Sequence, residues 1–179
     1  MTDSKAMMAM FDAFDNANQG LAIWDESDNL IGFNSIYRDI FRNNMLSEPK
    51  IGINFGQSYE EASKKPEFQL SSENIKQRFA IRKQARKDKK PIENESKLEN
   101  GIWLNVRETA SNDGHMITVI TDVTESKNSA EMQSRLSNAI DSIPSHVMFW
   151  DKDEKLIKAN ELAINENLKD GIKLIEGMS

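Results

Sequence analysis

Residues 99–124 read ENGIWLNVRETASNDGHMITVITDVT. Asn100-Gly101 is the strongest hairpin signal in the chain, because both residue types tolerate a positive φ. It joins a strand predicted over 92–99 to another over 102–109. Asn112-Asp113-Gly114 is a second tight turn and leads into a third strand over 116–123. Pro91 separates these three antiparallel strands from what precedes them.

Working outward toward the N-terminus, Ser71-Ser72-Glu73 opens a helix running to about Lys87, with Ile75 and Phe79 facing inward. Residues 44–70 are irregular, punctuated by Pro49, Gly52, Gly56 and Pro66, with a short helix over 58–63. Leu21–Trp24 and Leu30–Phe33 form a hairpin around the turn cluster Asp25–Asn29. Asn34-Ser35 caps a helix whose apolar face is Ile36, Tyr37, Ile40 and Phe41. Residues 5–17 place Met7, Met10, Phe11 and Phe14 at helical spacing. The order is helix, two strands, helices, three strands. That is an α+β domain with an antiparallel sheet and its helices gathered in mid-chain.

Beyond Thr124 the pattern returns to helix, with Met132, Leu136, Ala139, Ile140 and Ile143 at three–four spacing until Pro144. The start of the chain then recurs. AFDNANQGLAIWDESDNLIGFN at 13–34 aligns without gaps to AIDSIPSHVMFWDKDEKLIKAN at 139–160, an offset of 126 residues. Seven positions are identical: Ala13/Ala139, Asp15/Asp141, Trp24/Trp150, Asp25/Asp151, Leu30/Leu156, Ile31/Ile157 and Asn34/Asn160. A duplicated module is the expectation, its second copy truncated and the chain a piece of a longer protein.

The chain has 179 residues, a net charge of −6 and no cysteine. The charge argues against a general nucleic-acid or anionic-membrane binder. The missing cysteine removes disulfides, thiolate metal sites and cysteine nucleophiles, and fits a reducing cytoplasm. No stretch approaches the roughly 18 apolar residues of a membrane span, and residues 1–11 lack the pattern of a signal peptide.

The order of elements resembles the PAS domain. Residues 99–124 are similar to one bacterial PAS subfamily, in which an acidic residue and glycine turn, a tryptophan strand, a D-G turn and a final strand lead to D-[IV]-T, here Asp122-Val123-Thr124. Trp24-Asp25, Asn34 and Tyr37-Arg38 match the front end. The resemblance covers residues 10–125 in full and 136–179 in part. It implies a five-stranded antiparallel sheet cradling central helices around a small interior, with an N-terminal helix and a C-terminal connector helix. The expected plan is a PAS domain over 1–125, a helical connector over 126–143 and the start of a second PAS domain over 144–179.

PAS modules sense ligands, redox state or light, or hold dimers together. They sit upstream of histidine kinases, nucleotide or diguanylate cyclases, or phosphodiesterases. The expected function is therefore a cytoplasmic bacterial sensory module of a two-component or cyclase type protein. It would be a homodimer, passing a ligand or conformational signal through its connector to an effector in the same polypeptide. The alternative is a constitutive dimerisation or interaction scaffold, and a small enzyme ranks below both. No acid/base pair, nucleophile or metal set is readable, so no catalytic residue is assigned.

Tyr37, Phe41, Phe55, Phe79 and Trp103 are the candidates for the interior wall; their plainer reading is a filled core. Asp122, Thr124 and Arg107 are the candidates for signal transmission, with Asp122 capping the connector and pairing with a base such as Arg107. No cofactor is named. Haem is disfavoured because the helix at 71–87 has no histidine, and cysteinyl-flavin photochemistry because the chain has no cysteine. His115 reads as an exposed turn residue, and His146 stands at a strand entrance; neither starts a phosphoacceptor pattern. Asp25, Glu26 and Asp28 carry the charge of a hard-cation site, but hairpin turns are acidic for conformational reasons, so no metal is assigned. The basic run from Lys76 to Lys90 reads as a solvated helix face rather than a nucleic-acid or membrane surface.

Overall fold

The computed structural model describes residues 2–45, 48–62, 72–98 and 100–178. The chain divides into two units, Met1–Thr124 and Glu125–Ser179. The expected turn at Pro66, residues 63–71 and Glu99 lie outside the described residues, as does the side chain of Ile75.

The first unit begins with helix α1 (Thr2–Asn16), followed by strands β1 (Gln19–Trp24) and β2 (Leu30–Phe33). Helices α2 (Ser35–Met45), α3 (Phe55–Ala62) and α4 (Ser72–Asp88) fill the middle. Strands β3 (Ile92–Lys97), β4 (Trp103–Ala110) and β5 (Met116–Asp122) close it. The five strands make one antiparallel sheet in the order β2-β1-β5-β4-β3. The first and last strands thus meet at its centre, in register from Gln19 opposite Thr121 to Trp24 opposite Met116. The short helix starts three residues earlier than expected. It opens at Phe55, where the Asn54 side chain accepts the N–H of Gly56 at 3.1 Å.

Alternation along the strands selects the inner face. Leu104, Val106, Glu108 and Ala110 share one face of β4; Met116, Thr118 and Ile120 share one face of β5. Ala22, Trp24, Leu30, Tyr37, Phe41, Phe55, Leu104, Met116 and Ile120 form the buried core. Burying each larger side chain contributes roughly 1.5–3 kcal/mol. Helix α1 packs its apolar side on the hairpin: a Cβ added at Gly32 would sit 2.9 Å from the Phe11 ring. A side chain at position 32 would push that ring aside.

Polar side chains fix how α2 leaves the hairpin. The Oδ1 of Asn34 accepts the N–H of Leu21 at 2.7 Å and of Tyr37 at 3.0 Å, while its Nδ2 donates to the Gln19 carbonyl at 2.7 Å. Asn34 is thus both helix cap and strand tie. The carboxylate of Asp15 accepts the N–H of Ile36 at 3.1 Å, placing negative charge at the helix N-terminus.

In the second unit, helix α5 (Thr124–Asp141, its first residue belonging to the first unit) leads to strands β6 (Met148–Trp150) and β7 (Leu156–Ala159) and helix α6 (Glu161–Lys169). The polar pattern recurs here at the same offset. Asn160 Oδ1 accepts from Val147 and Ala163, each at 3.1 Å, and Asp141 accepts the N–H of Glu161 at 2.9 Å. Asp25 accepts the N–H groups of Ser27 and Asn29; Asp151 accepts those of Asp153 and Lys155. Both hairpins break register one residue before the tryptophan.

Candidate functional site

Between the inner face of the sheet and helices α2–α4 lies a cavity of about 570 Å³. Tyr37 and Phe41 reach it from α2, Phe55 from α3, and Trp24, Leu104 and Ile120 from the sheet. Tyr37 and Phe41 stack at 5.7 Å, and Trp24 meets Phe55 edge-on at 5.3 Å. Two of the expected wall residues stand elsewhere. Phe79 packs edge-on against Phe55 at 5.5 Å and fills the space a side chain at Gly56 would need, 2.3 Å from a Cβ added there. Trp103 alternates with Leu104, so the wall receives Leu104; the Trp103 ring lies 5.7 Å from Lys97 Nζ instead.

One end of the cavity is ionic. Arg82, on α4, is 1% exposed. Its Nη1 donates to Glu108 Oε1 on β4, and its Nε and Nη2 donate to Asp28 Oδ1 at 3.2 and 2.9 Å. Arg86 adds two bonds to Asp28, at 3.2 and 2.8 Å, and one to the Asp25 carbonyl at 3.3 Å. Glu108 Oε1 also accepts the Thr118 hydroxyl at 2.9 Å, and Thr118 Oγ1 accepts the Trp24 indole N–H at 3.0 Å. The Arg82 guanidinium lies 3.8 Å over the Phe55 ring. The network ties α4 to the β1–β2 turn and to both central strands. Burial pushes the Asp28 carboxyl up, but the bonds from Arg86 and the charge of Arg82 outweigh it and hold the group below the usual carboxylate range.

This cluster corrects the reading of the basic run as a solvated face at two positions, Arg82 and Arg86. The signal was present. Arg82 and Arg86 continue the spacing of Ile75 and Phe79, and Glu108 sits in phase with Leu104 and Val106. The acidic turn divides its labour: Asp25 holds the turn's own N–H groups, while Asp28, at φ 63°, carries its carboxylate to the two arginines. Among the described residues no group of three His, Asp or Glu side chains is placed to hold a metal ion. His115 is half-buried rather than exposed, with Nδ1 3.1 Å from Asp113 Oδ1. His146 Nε2 lies 2.6 Å from Glu166 Oε2.

The junction to α5 is built by backbone and side chain together. Asp122 Oδ1 accepts the N–H of Thr124 at 2.9 Å. Thr124 Oγ1 accepts the N–H of Trp103 at 2.8 Å, and Val123 donates to the Trp103 carbonyl at 2.9 Å. Arg107 does not pair with Asp122. It lies opposite Val119, three positions along β4 from the partner of Asp122, and reaches Glu93 at 3.5 Å on the exposed face.

No described helix is long and apolar enough to cross a membrane. No curated protein matches the chain. Among solved structures, a sensory box sensor histidine kinase from Vibrio cholerae is similar at 13% identity and a TM-score of 0.41, over 68% of this chain and 94% of that one. The family model described as the PAS fold matches residues 14–131, from the end of α1 through all five strands and into α5; the chain belongs to the PAS-fold family.

Proposed function

We propose that residues 1–125 are a cytoplasmic sensory module of a bacterial signalling protein. A small molecule enters the cavity, and the change passes through α5 to an effector of the histidine kinase or cyclase type in the same polypeptide. The observation carrying this reading is that the cavity and the connector share two strands. Leu104 lines the cavity while its neighbour Trp103 holds Val123 and Thr124; Ile120 lines the cavity two residues before Asp122. A displacement of β4 or β5 by a ligand therefore acts directly on the first turn of α5. The chain itself is read as non-catalytic. Residues 144–179, which repeat the hydrogen bonds of Asn34 and Asp25 at Asn160 and Asp151, are read as the opening of a second PAS module.

The test is a fusion of residues 1–143 to a reporter kinase. Asp122→Ala and Thr124→Ala each remove a junction bond at a cost of about 1 kcal/mol, small against a usual domain stability of about 5–15 kcal/mol. Both variants are expected to fold but to lose the wild-type response. Wild-type response in both would reduce the junction to a linker.

A second reading, a constitutive homodimer scaffold, is favoured by α5. It buries no residue in the chain and leaves Met132 and Leu136 58% and 56% exposed. With Ile140 they form a seam that a second copy can cover. Thermal melting over a small-molecule set separates the two readings, because only a binding cavity gives concentration-dependent shifts.

A further inference from the structure

The polar end of the cavity presents an open acceptor. Glu108 is 9% exposed and lines the cavity. Its Oε1 accepts from both Arg82 and Thr118, while its Oε2 accepts from nothing among the described residues. A carboxylate has about four acceptor positions, so Oε2 is open to a donor from within the cavity. The neighbouring groups are committed elsewhere. Thr118 donates to Glu108 and accepts from Trp24, and all three guanidinium nitrogens of Arg82 already bond a carboxylate.

The charges of the ionic cluster sum to zero, Asp28 and Glu108 against Arg82 and Arg86, and the other charged residues of the lining, Glu93 and Arg78, also balance. A ligand bringing a carboxylate or an ammonium group would bury a charge with no counter-ion. Beside aliphatic lining such as Leu104, Val106 and Ile120, Trp24, Tyr37, Phe41 and Phe55 present rings, and rings pack best on rings. The volume of about 570 Å³ lies within the roughly 300–1,000 Å³ of small-molecule sites.

We infer that the cavity takes a neutral, planar ring compound bearing an N–H or O–H donor, and that this donor binds Glu108 Oε2. The inference rests on the ligand-cavity reading above and goes further by fixing the ligand's charge and its essential group.

Three probes test it on the 179-residue protein: indole, benzofuran and indole-5-carboxylate. Benzofuran has the size and shape of indole with a ring oxygen where indole has its N–H. Binding is followed by the Trp24 Nε1–H resonance, whose donor lies two hydrogen bonds from Glu108 through Thr118. Indole is expected to shift that resonance saturably. Benzofuran is expected to bind about tenfold more weakly, as for loss of one hydrogen bond to a charged acceptor. Indole-5-carboxylate is expected to bind more weakly than indole. Equal affinity for indole and benzofuran, or tighter binding of the carboxylate, would overturn the ligand class while leaving a binding cavity. No shift with any of the three would overturn the cavity reading itself, and this inference with it.

Discussion

The hairpin β1–β2 and the hairpin β6–β7 share a bulge, a capping asparagine, an aspartate-closed turn and a positive-φ acid, Asp28 at 63° and Glu154 at 58°. Their surroundings differ. Trp24 is 2% exposed and Ala22 fully buried, whereas Trp150 is 44% exposed and Met148 40%. β1 runs between β2 and β5; among the described residues β6 pairs with β7 alone. Asp28 meets two guanidinium groups from α4, while Glu154 stays at the surface. Residues within 25 positions of one another are therefore enough to shape the hairpin and cap its helix. Burial comes from partners much further along the chain: Thr118 lies 94 residues from Trp24, and Arg82 lies 54 from Asp28.

The largest consequence is in local stability. Amides of β1 are expected to exchange only through global opening, and those of β6 and β7 through local opening several kcal/mol easier. Hydrogen exchange measures both in one sample; equal protection would break the contrast. Next comes the ion network. Arg82→Met leaves Glu108 buried without its cation and should destabilise the first unit by about 3–5 kcal/mol in urea unfolding. Arg82→Met with Glu108→Leu should recover much of that loss, and Glu154→Gln should stay within about 0.5 kcal/mol of the parent. A smaller effect sharpens the role of the caps. Asn34→Ala removes three hydrogen bonds from a packed hairpin and should cost about 2 kcal/mol; Asn160→Ala should leave the main thermal transition unmoved.

The smallest effect is on the acid side. The folded Asp28 carboxyl titrates below its ordinary value of about 3.9. Its contribution is thus complete above that pH and is lost as the pH falls toward the folded value. Asp28→Asn should flatten the acid limb of the stability profile, and Glu154→Gln should not. An unchanged limb in Asp28→Asn would place the acid sensitivity elsewhere.

The strands, α1, α2, α4 and the connector follow from periodicity and turn chemistry, because each signal is local. Tyr37, Phe41 and Phe55 share that legibility: aromatic residues on the inner side of short helices have few other places to go. Trp103 misled because a strand's phase depends on its neighbours in the sheet, and one residue's difference put Leu104 on the wall instead. Arg107 misled similarly, since closeness to Asp122 depends on strand register. The Asp28–Arg82–Glu108 network was hidden by composition. Arg82 and Arg86 stand among Lys83, Lys87, Lys89 and Lys90, and only the two that fall in phase with Phe79 turn inward.

The burial of Trp24 also has an optical consequence. Its indole sits in the packed interior, donates to Thr118 and lies 5.2 Å from a guanidinium, whereas Trp150 faces water and Trp103 is half-buried. The three emit from different dielectric surroundings, so the protein's ultraviolet fluorescence contains a blue component from the sheet interior and a red component from the second hairpin. Collisional quenchers such as iodide should remove the red part first. What remains would report the state of the cavity wall in the unlabelled protein.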